Sequence, residues 1–365
     1  MTQAHGQCDG RFEPVRNAFI DNFEQFPEVG AAVAIALDGE LVVDLWAGHA
    51  DAARGLAWQR NTIVGCASTT KGMAGLCANI LIDRGLLELD RPVADYWPEF
   101  AQNGKDTLPV RFLLDHRAGL PMVEQLTSPE ELLEWDVVVE ALAAQAPAWE
   151  PGTMHGYHAV TFGYLVGEVV RRISGRTLGT FLRDEVTRPL EATFFIGTPP
   201  EADAWCAESI PGDQLAALAL MMPQDPVAFR RAEIPSGNGH GNARGLAKIY
   251  GVLAMESDTA PRILRRQTLR EATSYEITGP WFGRVDGGFA ATRFCAGFVL
   301  NSSVSYMGPS STAFGYSGFG GSIAFADIEN RVGFGYTPNA QLTLAADQDS
   351  RSGRLVDALY ESLSV

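Results

Sequence analysis

Residues 65–76 read Gly-Cys-Ala-Ser-Thr-Thr-Lys-Gly-Met-Ala-Gly-Leu, and the lysine in this run limits what can form around it more than any other feature of the chain. No carboxylate follows until Asp83, while Met73, Leu76, Ile80 and Leu81 recur at helical spacing. The run therefore predicts a buried helix with Ser68 in its first turn and Lys71 on the same face. Side chains three apart on a helix have Cβ atoms roughly 5 to 6 Å apart, so the Lys71 amine reaches the Ser68 hydroxyl. Ser-x-x-Lys alone also fits a solvated helix start, but neighbours such as Ala, Gly, Met and Leu do not. A lysine whose pKa is depressed by burial can take the proton of a serine, alone or through a partner, and so turn a poor nucleophile into a good one. Backbone N–H groups at the helix start favour negative charge developing beside that serine.

A helix of this kind needs a substantial interior, and 365 residues with 46% hydrophobic content supply one, as one large domain or two interleaved ones. Phe12, Val15, Phe19, Ile20 and Phe23 form an amphipathic helix that stops before Pro27. Residues 30–37 and 40–46 are β-prone and flank Asp38-Gly39, a strong hairpin signal; residues 48–62 read as a loop. From Lys71 to about Met255 the apolar spacing is mostly helical, including helices from Thr161 to Ser174 and from Ala243 to Ala254. Strand-like runs return at 295–301, 321–326 and 331–337, and Leu355, Leu359 and Leu363 mark a closing helix. The pattern predicts an α+β fold: an antiparallel sheet flanked by terminal helices, with an all-helical domain inserted between its halves. The expected boundaries are 1–62 and 285–365 for the sheet domain and 63–284 for the helical one.

Further candidates lie outside the first run. Tyr157 sits in a Pro- and Gly-bearing loop at 149–160, where a nearby lysine would lower its phenol pKa enough for proton transfer. His155 and His158 lack the glutamate of a zinc-protease helix, and the five cysteines show no Cys-x-x-Cys spacing, so no metal, cofactor or disulfide framework is expected. Asp115 and His116 are adjacent and point apart, so they do not make a triad, and His116 is expected to brace a turn. No Gly-x-Ser-x-Gly elbow occurs. The glycine-rich run 237–241 follows no strand and reads as a flexible loop, not a phosphate cradle. Residues 314–322, Phe-Gly-Tyr-Ser-Gly-Phe-Gly-Gly-Ser, lie ahead of a strand and allow close backbone approach to a substrate. A net charge of −16 disfavours nucleic acid and anionic membranes as partners. Residues 1–17 carry no signal-peptide core and no run reaches the ~20 apolar residues of a span, so the expected location is cytoplasmic.

Ser68-Thr69-Thr70-Lys71, then Tyr157, then Tyr316-Ser317-Gly318 resembles the three-motif layout of the serine β-lactamase and penicillin-binding-protein superfamily. Residues 113–120, Pro151-Gly152-Thr153, residues 163–168 and Ser174-Gly175 are similar to framework segments of its class C-like branch, and within it to the family VIII carboxylesterases. The resemblance implies a β-lactamase-like fold with the site in the cleft between its two parts. It also implies a serine hydrolase acting on a small-molecule ester through an acyl-enzyme. Ser68 is then the nucleophile, and Tyr157, kept ionised or nearly so by Lys71, takes its proton. The N–H groups of Ser68 and Phe319 form the oxyanion hole, and Tyr316, Ser317, Gly318 and Ala159 contact substrate. Two departures stand out: Ala159 replaces the Asn of Tyr-x-Asn, and Tyr316 replaces the lysine of Lys-Thr-Gly. Both favour neutral esters over carboxylated β-lactams. An acyltransferase, amidase, D-aminopeptidase or β-lactamase of the same superfamily is the alternative, and an inactive binding protein with this fold is the alternative of another class. Oligomeric state is not legible.

Overall fold

Small residues on one side and branched ones on the other give the strand at residues 30–37 two different jobs. The computed structural model of the chain describes residues 2–212, 222–255, 262–274, 277, 280–282, 292–342 and 350–364. Its central sheet comprises β1 (His5–Cys8), β2 (Gly30–Leu37), β3 (Glu40–Asp51), β4 (Leu56–Ala57), β5 (Arg293–Phe294), β6 (Val299–Leu300), β7 (Phe314–Ser317), β8 (Ile323–Asp327) and β9 (Val332–Pro338). The order is β1-β3-β2-β9-β8-β7-β6-β5, with β4 on β3, and every pairing is antiparallel. Register Val33↔Tyr336 joins the first hairpin to the last strands, so the two chain ends complete one sheet. Asp38 and Gly39 both have positive φ, 52° and 82°, the geometry of a tight two-residue hairpin.

Each face of this sheet is covered. Val33 and Ile35 point to the terminal helices α1 (Glu13–Gln25) and α5 (Ser350–Leu363), packing with Phe12, Phe19, Phe334 and Leu355. Ala32 and Ala34 meet Ala243 and Ala247 of α4 (Ala243–Ala254) on the other face. Gly333 lies so close to α4 that a Cβ there would stand 2.1 Å from the Gly251 nitrogen. The expected 63–284 helical part includes α4, whose Ala243 and Ala247 face the sheet while Leu246, Ile249 and Leu253 join the core shared with α2. The expected junction at 284 and 285 lies outside the described residues. Arg351, fully buried, bonds Glu28 at 3.0 Å, Ala340 O at 3.0 Å and Gly320 O at 2.9 Å, which ties both ends of the chain to the turn after β7.

Three expectations change. The run 295–301 is not one strand: Gly297, with φ 86°, folds it into a hairpin turn between β5 and β6. The β3 strand runs on past Gly48 to Asp51, because that glycine, with φ 77°, continues the ladder opposite Gly30 where a loop was expected. Residues 237–241 are not a flexible loop, since His240–Gly241 pairs between Val64–Gly65 and Phe194–Phe195. The helix bearing Lys71, α2 (Thr70–Asp83), is seated on the Gly297 turn: a Cβ on Gly75 would fall 2.2 Å from Gly297 O, and Asn79 donates to Ala296 O at 2.8 Å. Gly75→Ala is therefore expected to cost about 3 kcal/mol of stability in urea unfolding. A loss below about 0.5 kcal/mol would contradict this seating.

Candidate active site

The turn that carries Ser68 is clamped from two sides. Ala67, Ser68 and Thr69 form a 3-10 turn that leads directly into α2, with Ala67 at φ 42°, uncommon for a residue other than glycine. On one side Cys66 N donates to Gly239 O at 2.8 Å and Gly239 N to Thr70 Oγ1 at 2.9 Å. On the other, Ser322 Oγ donates to Cys66 O at 2.7 Å. Gly318 presses on the same backbone, where a Cβ would sit 2.6 Å from Cys66 O, so the β7–β8 turn abuts the residues just before Ser68.

Lys71 is fully buried, and its Nζ lies 3.2 Å from Ser68 Oγ. It donates to Ala159 O at 2.7 Å and to Ser236 O at 2.8 Å. Burial drives its pKa well below the usual 10.5. In its neutral form the amine would give its two hydrogens to the two carbonyls and turn its lone pair to Ser68. Ser236 was not singled out in the sequence. It is placed by α3 (Thr161–Ser174), where a Cβ on Gly163 would meet Ser236 N at 2.4 Å, and by its own hydroxyl, which donates to Val160 O at 2.6 Å. The Pro235-Ser236 pair beside a glycine-rich run was the available signal, and it indicated a turn but not a carbonyl aimed at a lysine.

Tyr157 is half-buried, and its phenol is hydrogen-bonded with the Ser68 hydroxyl and with Tyr316. Its pKa is pushed up to about 12, chiefly by burial, with those two hydrogen bonds pulling it back in part. This reverses the expected lowering. The Lys71 amine lies over the Tyr157 ring, 4.7 Å from its centroid, and desolvation of the phenolate prevails. Tyr316 is buried in β7, held well above the ordinary phenol pKa, first by burial and then by Tyr157. β7 is an interior strand, paired on both sides.

Among the other candidates, Ala159 is exposed and serves Lys71 through its carbonyl. Ser317 ends β7, and Gly318 and the half-buried Phe319 begin the turn whose Gly320 and Gly321 have φ of 87° and 103°. Asp115 bonds Arg117 at 2.8 Å. His158 is used up internally, its Nδ1 at 2.6 Å from Gly156 O and its Nε2 accepting from Leu120 N at 3.0 Å. Among the described residues no cluster of three or more His, Cys, Asp or Glu is arranged to hold a metal ion.

A serine gripped at a helix start, a buried lysine one turn on and a tyrosine closing over both belong, on this α+β frame, to the serine hydrolase class. The chain belongs to the beta-lactamase family, whose model, described as Beta-lactamase, matches residues 19–358. It is 33% identical to the esterase/beta-lactamase LipL of Mycobacterium tuberculosis over 93% of this chain and 83% of that protein. A solved family VIII carboxylesterase is similar over 99% of this chain and all of its own, with TM-score 0.90 and 39% identity. A penicillin-binding-protein homologue from Caulobacter crescentus gives TM-score 0.89 and 38% identity over 99% of this chain and 100% of its own. A fluorophosphonate probe should add one covalent label on Ser68, read by intact mass, and Lys71→Ala should slow labelling by roughly 10² to 10⁴. Unchanged labelling in that variant would remove Lys71 from the activation of Ser68.

Proposed function

We propose that this chain hydrolyses small, uncharged carboxylic esters through an acyl-enzyme on Ser68. The observation that carries the proposal is the buried Lys71 amine, 3.2 Å from Ser68 Oγ, with two backbone carbonyls at 2.7 and 2.8 Å and a pKa driven well below the usual 10.5 by burial. As Ser68 Oγ attacks the ester carbonyl, the Lys71 lone pair takes its proton. The developing oxyanion is received by the N–H groups of Ser68 and Phe319. Tyr157, protonated because its pKa is near 12, gives its proton to the departing alkoxide. Water then attacks the acyl group and surrenders a proton to the Tyr157 phenolate, while Lys71 returns its proton to Ser68 as the acid leaves. The base and acid roles are thus the reverse of those implied by the resemblance.

Tyr316 and Ala159 set the substrate class. Where β-lactamases carry a lysine this site has a phenol, with His116 behind it held neutral by burial. A lost charge-assisted hydrogen bond corresponds to about one to two orders of magnitude against carboxylated substrates. Phe294 and Trp281 extend the Tyr157 and Tyr316 cluster as an apolar wall suited to an uncharged acyl or alkyl group. The proposal extends to a cytoplasmic place of action and to no nucleic-acid partner, supported by the buried thiols of Cys66 and Cys77 and a net charge of −16. Among the described residues no helix is long and apolar enough to cross a membrane.

Two measurements test the reading. kcat/KM for nitrophenyl butyrate should exceed that for nitrocefin by at least about tenfold; equal values would overturn the esterase assignment. The same kcat/KM should rise with pH as Lys71 loses its proton, with a midpoint well below 10.5, because a base acts only when unprotonated. It should fall again only as Tyr157 ionises near 12. An optimum below about pH 6 would indicate a carboxylate base instead.

A further inference from the structure

His116 was expected to brace a turn, and it does so: its carbonyl accepts from Gly156 N at 3.0 Å and its Nδ1 from His158 N at 3.1 Å. Its other nitrogen faces the site. The residue follows the short helix Arg111–Leu114 and has φ 64°, a left-handed conformation that glycine and asparagine adopt most readily. This conformation places a fully buried imidazole between Phe162 and Phe294, with centroids 5.0 and 4.5 Å away, and Nε2 3.1 Å from Tyr316 Oη.

The hydrogens around His116 then have one consistent arrangement. A backbone N–H cannot reverse, so Nδ1 is an acceptor and carries no hydrogen. Burial keeps the ring neutral, which leaves its single hydrogen on Nε2, donated to Tyr316 Oη. Tyr316 must therefore send its own hydrogen elsewhere, and its phenol is bonded to Tyr157. Tyr157 in turn is bonded with the Ser68 hydroxyl, which lies 3.2 Å from Lys71 Nζ. From the His158 amide through His116 and Tyr316 to Tyr157 the donors run one way.

We propose that His116 is a positioning residue for catalysis: by donating Nε2–H to Tyr316 it fixes Tyr316 as a donor to Tyr157, and so stabilises the phenolate left when Tyr157 has protonated the leaving group. No proton leaves His116, which stays neutral throughout. The inference rests on the esterase reading of the same site.

The test compares two butyrate esters that share an acyl group, nitrophenyl butyrate and ethyl butyrate. Nitrophenolate departs without help, whereas ethoxide needs the Tyr157 proton. His116→Asn suits the left-handed backbone and keeps an acceptor for the His158 amide, but its side chain falls short of Tyr316. It should lower kcat/KM for ethyl butyrate about tenfold and for nitrophenyl butyrate less than about threefold. His116→Gln, whose amide reaches the Nε2 position, should restore most of the ethyl ester rate. In a Tyr316→Phe background His116→Asn should add no further loss. Equal losses on both esters, or full additivity with Tyr316→Phe, would reduce His116 to a structural brace and overturn the proposal. If His116→Asn fails to fold, the ester ratios of His116→Gln and Tyr316→Phe decide: the first should match wild type, the second should shift against ethyl butyrate. Wild-type turnover of either ester judges the esterase reading, and the ratio between variants judges His116, so the two can fail separately.

Discussion

A lysine taken out of water with no carboxylate to meet it is the constraint on which the site depends. Desolvation alone accounts for the depressed pKa of Lys71. A buried charge without a carboxylate is costly, so burial shifts the amine towards its neutral form. Its hydrogens still need acceptors, and the fold brings Ala159 O and Ser236 O from segments about 80 residues apart to supply them. Ala159 takes part through its carbonyl, a group that does not depend on its side chain.

Close backbone contact is the means by which these segments converge. Gly75 on Gly297, Gly163 on Ser236, Gly318 on Cys66 and Gly333 on Gly251 are all approaches that a single methyl group would block. Each brings a different piece of chain to within reach of Ser68, Lys71 or the sheet behind them. Two of the six non-glycine residues at positive φ among the described residues, Ala67 and His116, lie beside Ser68 and Tyr316.

Much of this was legible in the residues and some of it was not, for physical reasons. Long apolar stripes announced α1, α2, α3, α4 and α5, because burying a helix face needs a repeating pattern. The alternation across β2 was harder to interpret, since a strand covered on both faces has no polar side to mark it. The hairpin turn at Gly297 was invisible as a turn, because its glycine reads equally well as part of a strand. Ser68 and Lys71 could be paired from spacing alone. The protonation of Tyr157 could not, since it depends on whether the amine lies beside the phenol oxygen or over the ring, and sequence carries no such angle. Ser236 escaped for a related reason: what it contributes is a carbonyl, which every residue has.

The order of assembly follows from the sheet. Ser68 and Lys71 leave the ribosome early, but Tyr316 and the turn that abuts Cys66 emerge roughly 250 residues later, ten seconds or more at usual synthesis rates. The nascent helix is incomplete as an active site during that interval, because its proton acceptor is not yet enclosed and its tyrosine partner not yet anchored. Arg351, reaching from α5 to Gly320 O and Glu28, closes the arrangement only once residue 351 has been made. The same contact thus acts as a timer: the surroundings of Ser68 are complete only about 280 residues after Ser68 itself.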